Sequence, residues 1–423
     1  MGIVLFVAGV FSLFMIRDLF NKNILVGFFF AFLQVYNYVP FAARCYDNSL
    51  VNLVSHIQIF DEDILYKYLF YCYAQSIVLY LLFKNYVLKG KPILLNRNSV
   101  WNVRIRRNII CYNIIQIIVA LILFYNLTKY YSLLNYHDQV VVKSNLIWVI
   151  LLEYSFVFFL IDFFLYKKER KLIPVLCGLF IAIPTCLTLF KIGNRGIAMP
   201  ALCGYLYLIL INKNFKISIK QIKTTFIAFL CILPIIMFSQ FIRSNRGSSS
   251  TSYNFSLNMI EDFFDIKVLL FQDYTIPGNS LMYCIDKNII DPIFVCLSNI
   301  GNCIFFYYYP TIAIDISDRI NTGEVFGVGG FLPVEGFYLC GYWGIIVLPI
   351  VIAFFFRFYL TKLSFPKEKE YSLFIGFLLC TFLCFNLARG QSYLLFKVLY
   401  MYIIPSCILY RLAFGNKNIQ KYG

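Results

Sequence analysis

Four arginines stand at the ends of apolar runs in this chain: Arg195 in KIGNRG, Arg243 and Arg246 in FIRSNRG, and Arg389 in LARGQS. A guanidinium is always charged and offers five donors in a planar fork that grips phosphate oxygens bidentately. Arg195, Arg246 and Arg389 are each followed by glycine, which lets backbone approach an anion closely. Lys191 lies beside the first motif, and Lys397 about two helical turns beyond the last. This set suits a diphosphate. Contact with lipid headgroup phosphates is the simpler alternative for each arginine.

Glu335 opens another apolar run, within FGVGGFLPVEGFYLCGYWG from Phe326 to Gly344. Near a helix N-terminus the carboxylate favours the dipole, and buried it can serve as a general base. The two roles are compatible. Asp262 and Glu324 are the fallback carboxylates. Aromatic rings mixed with carboxylates and amides hold sugar rings, and Tyr274, Tyr338 and Glu324 are candidates for that contact. Glu153 and Asp162 lie inside one apolar run, where carboxylates mark function or buried pairing. Asp162 is expected to snorkel to the nearer membrane face, whereas Glu153 would suit a proton-coupled carrier.

The elements that must position these groups follow from composition. The 423 residues are 61% hydrophobic and 14% charged, against about 45–50% and about 25% in soluble domains. A soluble enzyme and a nucleic-acid-binding domain are excluded as the main reading. The net charge of +16 then concerns which side of a membrane the basic residues occupy, and membrane lipids are the expected contact.

About eleven apolar runs are candidates to cross roughly 30 Å of hydrocarbon: about 2–16, 24–42, 64–83, 109–128, 145–166, 172–190, 197–212, 224–242, 336–356, 371–387 and 392–410. Arg17 and Lys22 follow the first run and none precedes it, which is the wrong flank for a cleaved signal and the right one for an N-out helix. With the N-terminus outside, basic residues gather on the inner segments, such as 84–107, 167–171, 213–223 and 357–369. That is the positive-inside pattern. It predicts an all-α polytopic membrane protein forming one integral domain over 1–423, with a cytoplasmic C-terminus and one large outer loop at 243–333. The apolar stretch 289–310 reads as an interfacial or re-entrant piece of that loop. The 14 cysteines mostly sit in apolar runs and give no disulfide framework. No acidic cluster is clearly built for a metal, and no cofactor is expected.

The order of parts resembles the bacterial O-antigen and capsule repeat-unit polymerases of the Wzy type. A GNRG turn lies between two runs; then comes a run ending in FSQFIRSNRG, the long loop, the Gly-rich entrance to VEGFYLCGYWGIIVLPIVIAFFFRF, and an LARG turn before the last run. The likeness covers roughly residues 185–411. It implies a GT-C-like glycosyltransferase of the inner membrane, acting at the outer leaflet on polyprenyl-diphosphate-linked oligosaccharides as donor and acceptor, with a chain-length regulator as a further partner. It also implies that Arg195, Arg243, Arg246 and Arg389 serve the diphosphate, with Glu335, Arg195 and Arg389 as the catalytic set. Related O-antigen ligases carry a histidine in the large loop, whereas His56 and His137 here lie outside it. A ligase and a flippase of the same lipids are the alternatives.

Overall fold

The computed structural model describes residues 2–46, 61–89, 105–130, 146–192, 195–212, 278–304, 310–320, 331–362 and 369–415. Among them every regular element is helical. Seven helices are long and apolar enough to cross a membrane: Gly2–Lys22, Ile24–Ala42, Ile109–Lys129, Trp148–Glu169, Leu332–Leu360, Glu370–Ala388 and Leu394–Phe414. The expected runs at 64–83, 172–190 and 197–212 are also helical. The run at 224–242 lies outside the described residues. In its described residues this is a polytopic, all-helical membrane protein.

The chain forms two compact units. The first comprises Met1–Arg97, Asp265–Ser364 and Leu379–Leu399. Its N-terminal hairpin turns at Asn23, whose side-chain oxygen accepts from the backbone N–H of Leu25 at 3.0 Å and Val26 at 3.2 Å. That caps the second helix where its first N–H groups have no partner. Lipid gives helices no hydrophobic reason to associate, so packing and polar contacts must do it. Here Ser12 donates to Gln34 at 3.0 Å, and Gln34 and Asn37 both donate to Ser76 Oγ, at 2.8 and 2.9 Å. These bonds tie Gly2–Lys22, Ile24–Tyr46 and Glu62–Leu82 together.

The span Leu332–Leu360 is broken once. Gly341, at φ 57°, ends the Leu332–Cys340 helix, a 3-10 turn follows over Gly341–Trp343, and Gly344–Lys362 resumes. The left-handed conformation at Gly341 explains the glycine. The break folds the chain so tightly that a Cβ at Gly344 would lie 2.1 Å from the Gly336 carbonyl oxygen. The Gly344 carbonyl, in the first turn of the resumed helix, also accepts from Gln75 Nε2 at 3.1 Å.

The second unit comprises Asn98–Phe264, Phe365–Leu378 and Tyr400–Gly423. Ile109–Tyr130, Leu146–Glu169 and Leu172–Ile192 pack around Asp162. The expected snorkelling of Asp162 is overturned. Its carboxylate is buried and accepts from the Tyr112 hydroxyl at 2.9 Å and Gln116 Nε2 at 2.8 Å. It fits because Gly178 has no side chain: a Cβ there would sit 2.3 Å from Asp162 Oδ2. Two neutral donors and a glycine notch keep the group inside, and a carboxylate left there unbonded would be costly.

A test follows. Gly178→Ala should displace the carboxylate from both donors and cost about 2 kcal/mol, seen as a lower melting temperature in detergent. Asp162→Ala should cost a similar amount. The double variant should lose clearly less than the two losses added together, since both changes break one arrangement. Simple additivity would show that the two residues act independently.

Candidate functional site

Glu335 lies in the first turn of the Leu332–Cys340 helix, which Phe331 precedes in extended conformation and Pro333 helps to start. Its side chain is 1% exposed. The carboxylate bonds out of its own helix, to two other segments of the first unit. Ser392 gives its backbone N–H to Oε2 at 2.7 Å and its hydroxyl to Oε1 at 2.6 Å. Asn299 Nδ2 gives a second bond to Oε1 at 2.6 Å, and also reaches Ser392 Oγ at 3.2 Å. Asn299 Nδ2 and the Ser392 backbone N–H can only donate, which fixes the direction of those two bonds.

Each partner has a local reason for its place. The helix Phe385–Arg389 stops at Gly390, and Leu394–Val398 starts after a short turn. Ser392 sits in that turn, where its N–H is free to point at Glu335. Asn299 belongs to Pro292–Ile304, started by Asp291, whose carboxylate accepts from the Phe294 N–H at 3.0 Å. This helix has an inside-out character. Ile293, Leu297, Ile300 and Ile304 are exposed, whereas Ser298 and Asn302 are buried. Thirteen residues extend about 20 Å at 1.5 Å each, short of the roughly 30 Å core.

Next to this pocket stands a charged cluster. Arg319 bonds Asp315 at 2.7 Å and Asp291 at 3.3 Å, and lies over the Tyr338 ring at 5.9 Å. The hydrogen bond that Arg319 donates to Asp315 pushes the Arg319 pKa further up. Tyr338 donates its hydroxyl to Asp315, and its backbone carbonyl accepts from the Asp291 N–H at 2.8 Å. The Tyr338 ring is fully buried, with Phe294 edge-on at 6.1 Å. Its face and hydroxyl are thus occupied by protein, and it joins the helices of Asp291, Asp315 and Glu335.

No protein-family model, curated protein or solved structure matches the chain. The site's meaning therefore rests on its own chemistry.

The other expected residues fall as follows. Arg389 is the last residue of Phe385–Arg389 in the first unit, three residues before Ser392. Arg195 is the first residue of Arg195–Asn212 in the second unit. Arg243, Arg246, Tyr274, Glu324 and Asp262 lie outside the described residues. Glu153 accepts from the Tyr402 hydroxyl within the second unit. Among the described residues no group of three or more His, Cys, Asp or Glu could hold a metal ion.

Asn299 and Ser392 were missed from sequence. Ser392 had a signal, since it belongs to the LARGQS string that carries Arg389. Asn299 had a fainter one, the polar group Ser298, Asn299 and Asn302 inside an otherwise apolar stretch.

Chemically, the site is a buried carboxylate with one acceptor position unused. A carboxylate has about four acceptor positions. Oε1 uses two on Asn299 and Ser392, and Oε2 uses one on the Ser392 N–H. That leaves one acceptor position, on Oε2.

Proposed function

We propose that this protein is a polysaccharide polymerase of the inner membrane. It transfers a growing glycan from polyprenyl diphosphate to a sugar hydroxyl of the next lipid-linked repeat unit, at the outer leaflet. The observation that carries the reading is the Glu335 carboxylate, buried and held by Asn299 and Ser392 with one acceptor position left. A membrane-embedded carboxylate without a purpose is disfavoured, because burying it costs several kcal/mol unless it is fully bonded. Eleven spans in a GT-C-like arrangement with the N-terminus outside, and a chain-length regulator as partner, complete the proposal.

In the reaction, the acceptor hydroxyl oxygen attacks the anomeric carbon of the donor. The carbon–oxygen bond to the diphosphate breaks, and its electron pair leaves with the diphosphate. The hydroxyl proton passes to Glu335 Oε2. One displacement inverts the anomeric configuration, and no metal is assigned a role. Arg195, Arg243, Arg246 and Arg389 are proposed to bind the leaving diphosphate, where each well-placed donor contributes about 3 kcal/mol.

Arg195→Ala and Arg389→Ala should each lower polymerisation by about 100-fold or more. On a gel of surface polysaccharide, both should leave acceptors carrying a single repeat. Normal chain length in both variants would remove the diphosphate role. A flippase of the same lipids is favoured by one observation, the carboxylate of Glu153 within a candidate span. The same gel separates the two, because loss of a flippase leaves acceptors with no repeat at all.

A further inference from the structure

The Pro292–Ile304 helix, which brings Asn299 to Glu335, packs from one side among the described residues: Ile293, Leu297, Ile300 and Ile304 on its other side are exposed. Its inner side is bonded to other segments in the middle and at the start. In the middle, Ser298 Oγ donates to the Pro310 carbonyl at 2.9 Å, and Asn299 Nδ2 reaches Glu335 and Ser392. At the start, the Asp291 backbone N–H meets the Tyr338 carbonyl, and the Asp291 carboxylate does two jobs. Its Oδ1 accepts from the Phe294 N–H at 3.0 Å, which caps the helix, and its Oδ2 accepts from Arg319 Nη2 at 3.3 Å. Arg319 Nε donates to Asp315 Oδ2 at 2.7 Å, and the Tyr338 hydroxyl donates to Asp315 as well. These bonds close a ring, from Asp291 to Arg319, Asp315, Tyr338 and back to Asp291.

We infer that Arg319 is a positioning residue for the proposed base: through Asp291 it sets the Pro292–Ile304 helix so that Asn299 meets the Glu335 carboxylate. This rests on the polymerase reading and deepens it. Tyr338 and Glu335 share the Leu332–Cys340 helix one turn apart, so the ring and the carboxylate are fixed to one element. Asn299 stands eight residues after Asp291, about 12 Å along its helix at about 1.5 Å each. A tilt of about 5° at the Asp291 end would move Asn299 by about 1 Å over that length. A misplacement of that size at a reacting group can cost about 100-fold in rate. An exposed ion pair by itself holds little, and the Arg319 side chain is 41% exposed. Here, however, one guanidinium lies between carboxylates from two segments. Its loss would leave like charges facing each other, and their repulsion would push the two segments apart.

The test measures polymer made per folded protein, from the surface-polysaccharide ladder and the amount of monodisperse full-length protein. Arg319→Gln should lower it about 10- to 100-fold. Arg319→Lys keeps a cation between the carboxylates and should retain more polymer than Arg319→Gln, and equal losses would overturn the inference. Asp291→Asn keeps an oxygen to cap the Phe294 N–H but gives up the charge that Arg319 holds. It stands in if Arg319→Gln folds poorly, and it too should lose polymer. The deciding arm combines each of these changes with Asn299→Ala. If Arg319 acts through Asn299, each double variant should fall within about twofold of Asn299→Ala alone, since the bond to be positioned is already gone. Losses that multiply in the double variants would give Arg319 and Asp291 a purely structural role and overturn the inference. Normal polymer in both single variants would overturn it too. Glu335→Gln, run alongside, keeps the two claims apart. Normal polymer in that variant defeats the polymerase reading itself, whereas its loss there, together with multiplying losses in the double variants, defeats only the positioning role.

Discussion

Replacing Glu335 by Gln should reduce polymer synthesis by about 10³- to 10⁴-fold, the upper range for loss of a general base. The change keeps the side chain's length and one of its oxygens, so it separates proton acceptance from shape. In the parent, Asn299 and Ser392 supply three donors to two carboxylate oxygens. A glutamine can still accept with one oxygen, but its NH2 must face donors at the other position. The pocket would then hold at most part of its bonding pattern, and the remaining acceptor position for a substrate hydroxyl would be lost. Glu335→Asp keeps the charge but draws it back by one methylene, and should retain more activity than Glu335→Gln. Cells carrying the Gln variant should display single repeats with no ladder. A full ladder at normal protein level would show that Glu335 does not take the proton.

The second large effect concerns folding. Gly344→Ala should cost about 3 kcal/mol, enough to remove most of a marginal stability. The added Cβ meets the Gly336 carbonyl oxygen at 2.1 Å, its carbon at 2.3 Å and the Tyr71 hydroxyl at 2.4 Å. A side chain can rotate away, but the backbone carbonyl of Gly336, inside the Leu332–Cys340 helix, cannot. Moving it would shift the helix that carries Glu335, and would pull the Gly344 carbonyl from Gln75. The expected readout is a lower melting temperature and little monodisperse protein on size-exclusion chromatography. Tyr71→Phe should not rescue the variant, since it removes only one of the three clashes. Gly2→Ala is the matched control, because nothing lies within 4 Å of a Cβ there. If Gly344→Ala melts like Gly2→Ala, the close approach of the two glycine backbones is wrong.

The helical segments were legible in sequence because membrane crossing is a property of consecutive residues. Twenty apolar side chains in a row leave the backbone no partner except itself, so a helix follows wherever the run occurs. Glu335 was legible for a similar reason, as a charge at the edge of a run. Its donors were not. Asn299 and Ser392 are neutral, common residues lying 36 and 57 positions away, and nothing local in either segment states which carboxylate it will meet. Asp162 shows the same limit from the other side. Its helix position allowed an escape toward water, and only the space left by Gly178 and the reach of Tyr112 and Gln116 explain why it stays. Tyr338 was a candidate sugar contact by residue type alone, and its burial by Phe294 and Arg319 depends on two segments folding over it.

That separation of Glu335 from its donors has a consequence for how the protein is made. The ribosome completes Asn299 first, then Glu335, and Ser392 only near the end of synthesis. From the time Glu335 enters the translocon until the LARGQS turn emerges, its carboxylate has at most the amide of Asn299, and Oε2 has no donor. A nascent chain stalled or cut before residue 392 would therefore carry a carboxylate that lacks two of its three hydrogen bonds.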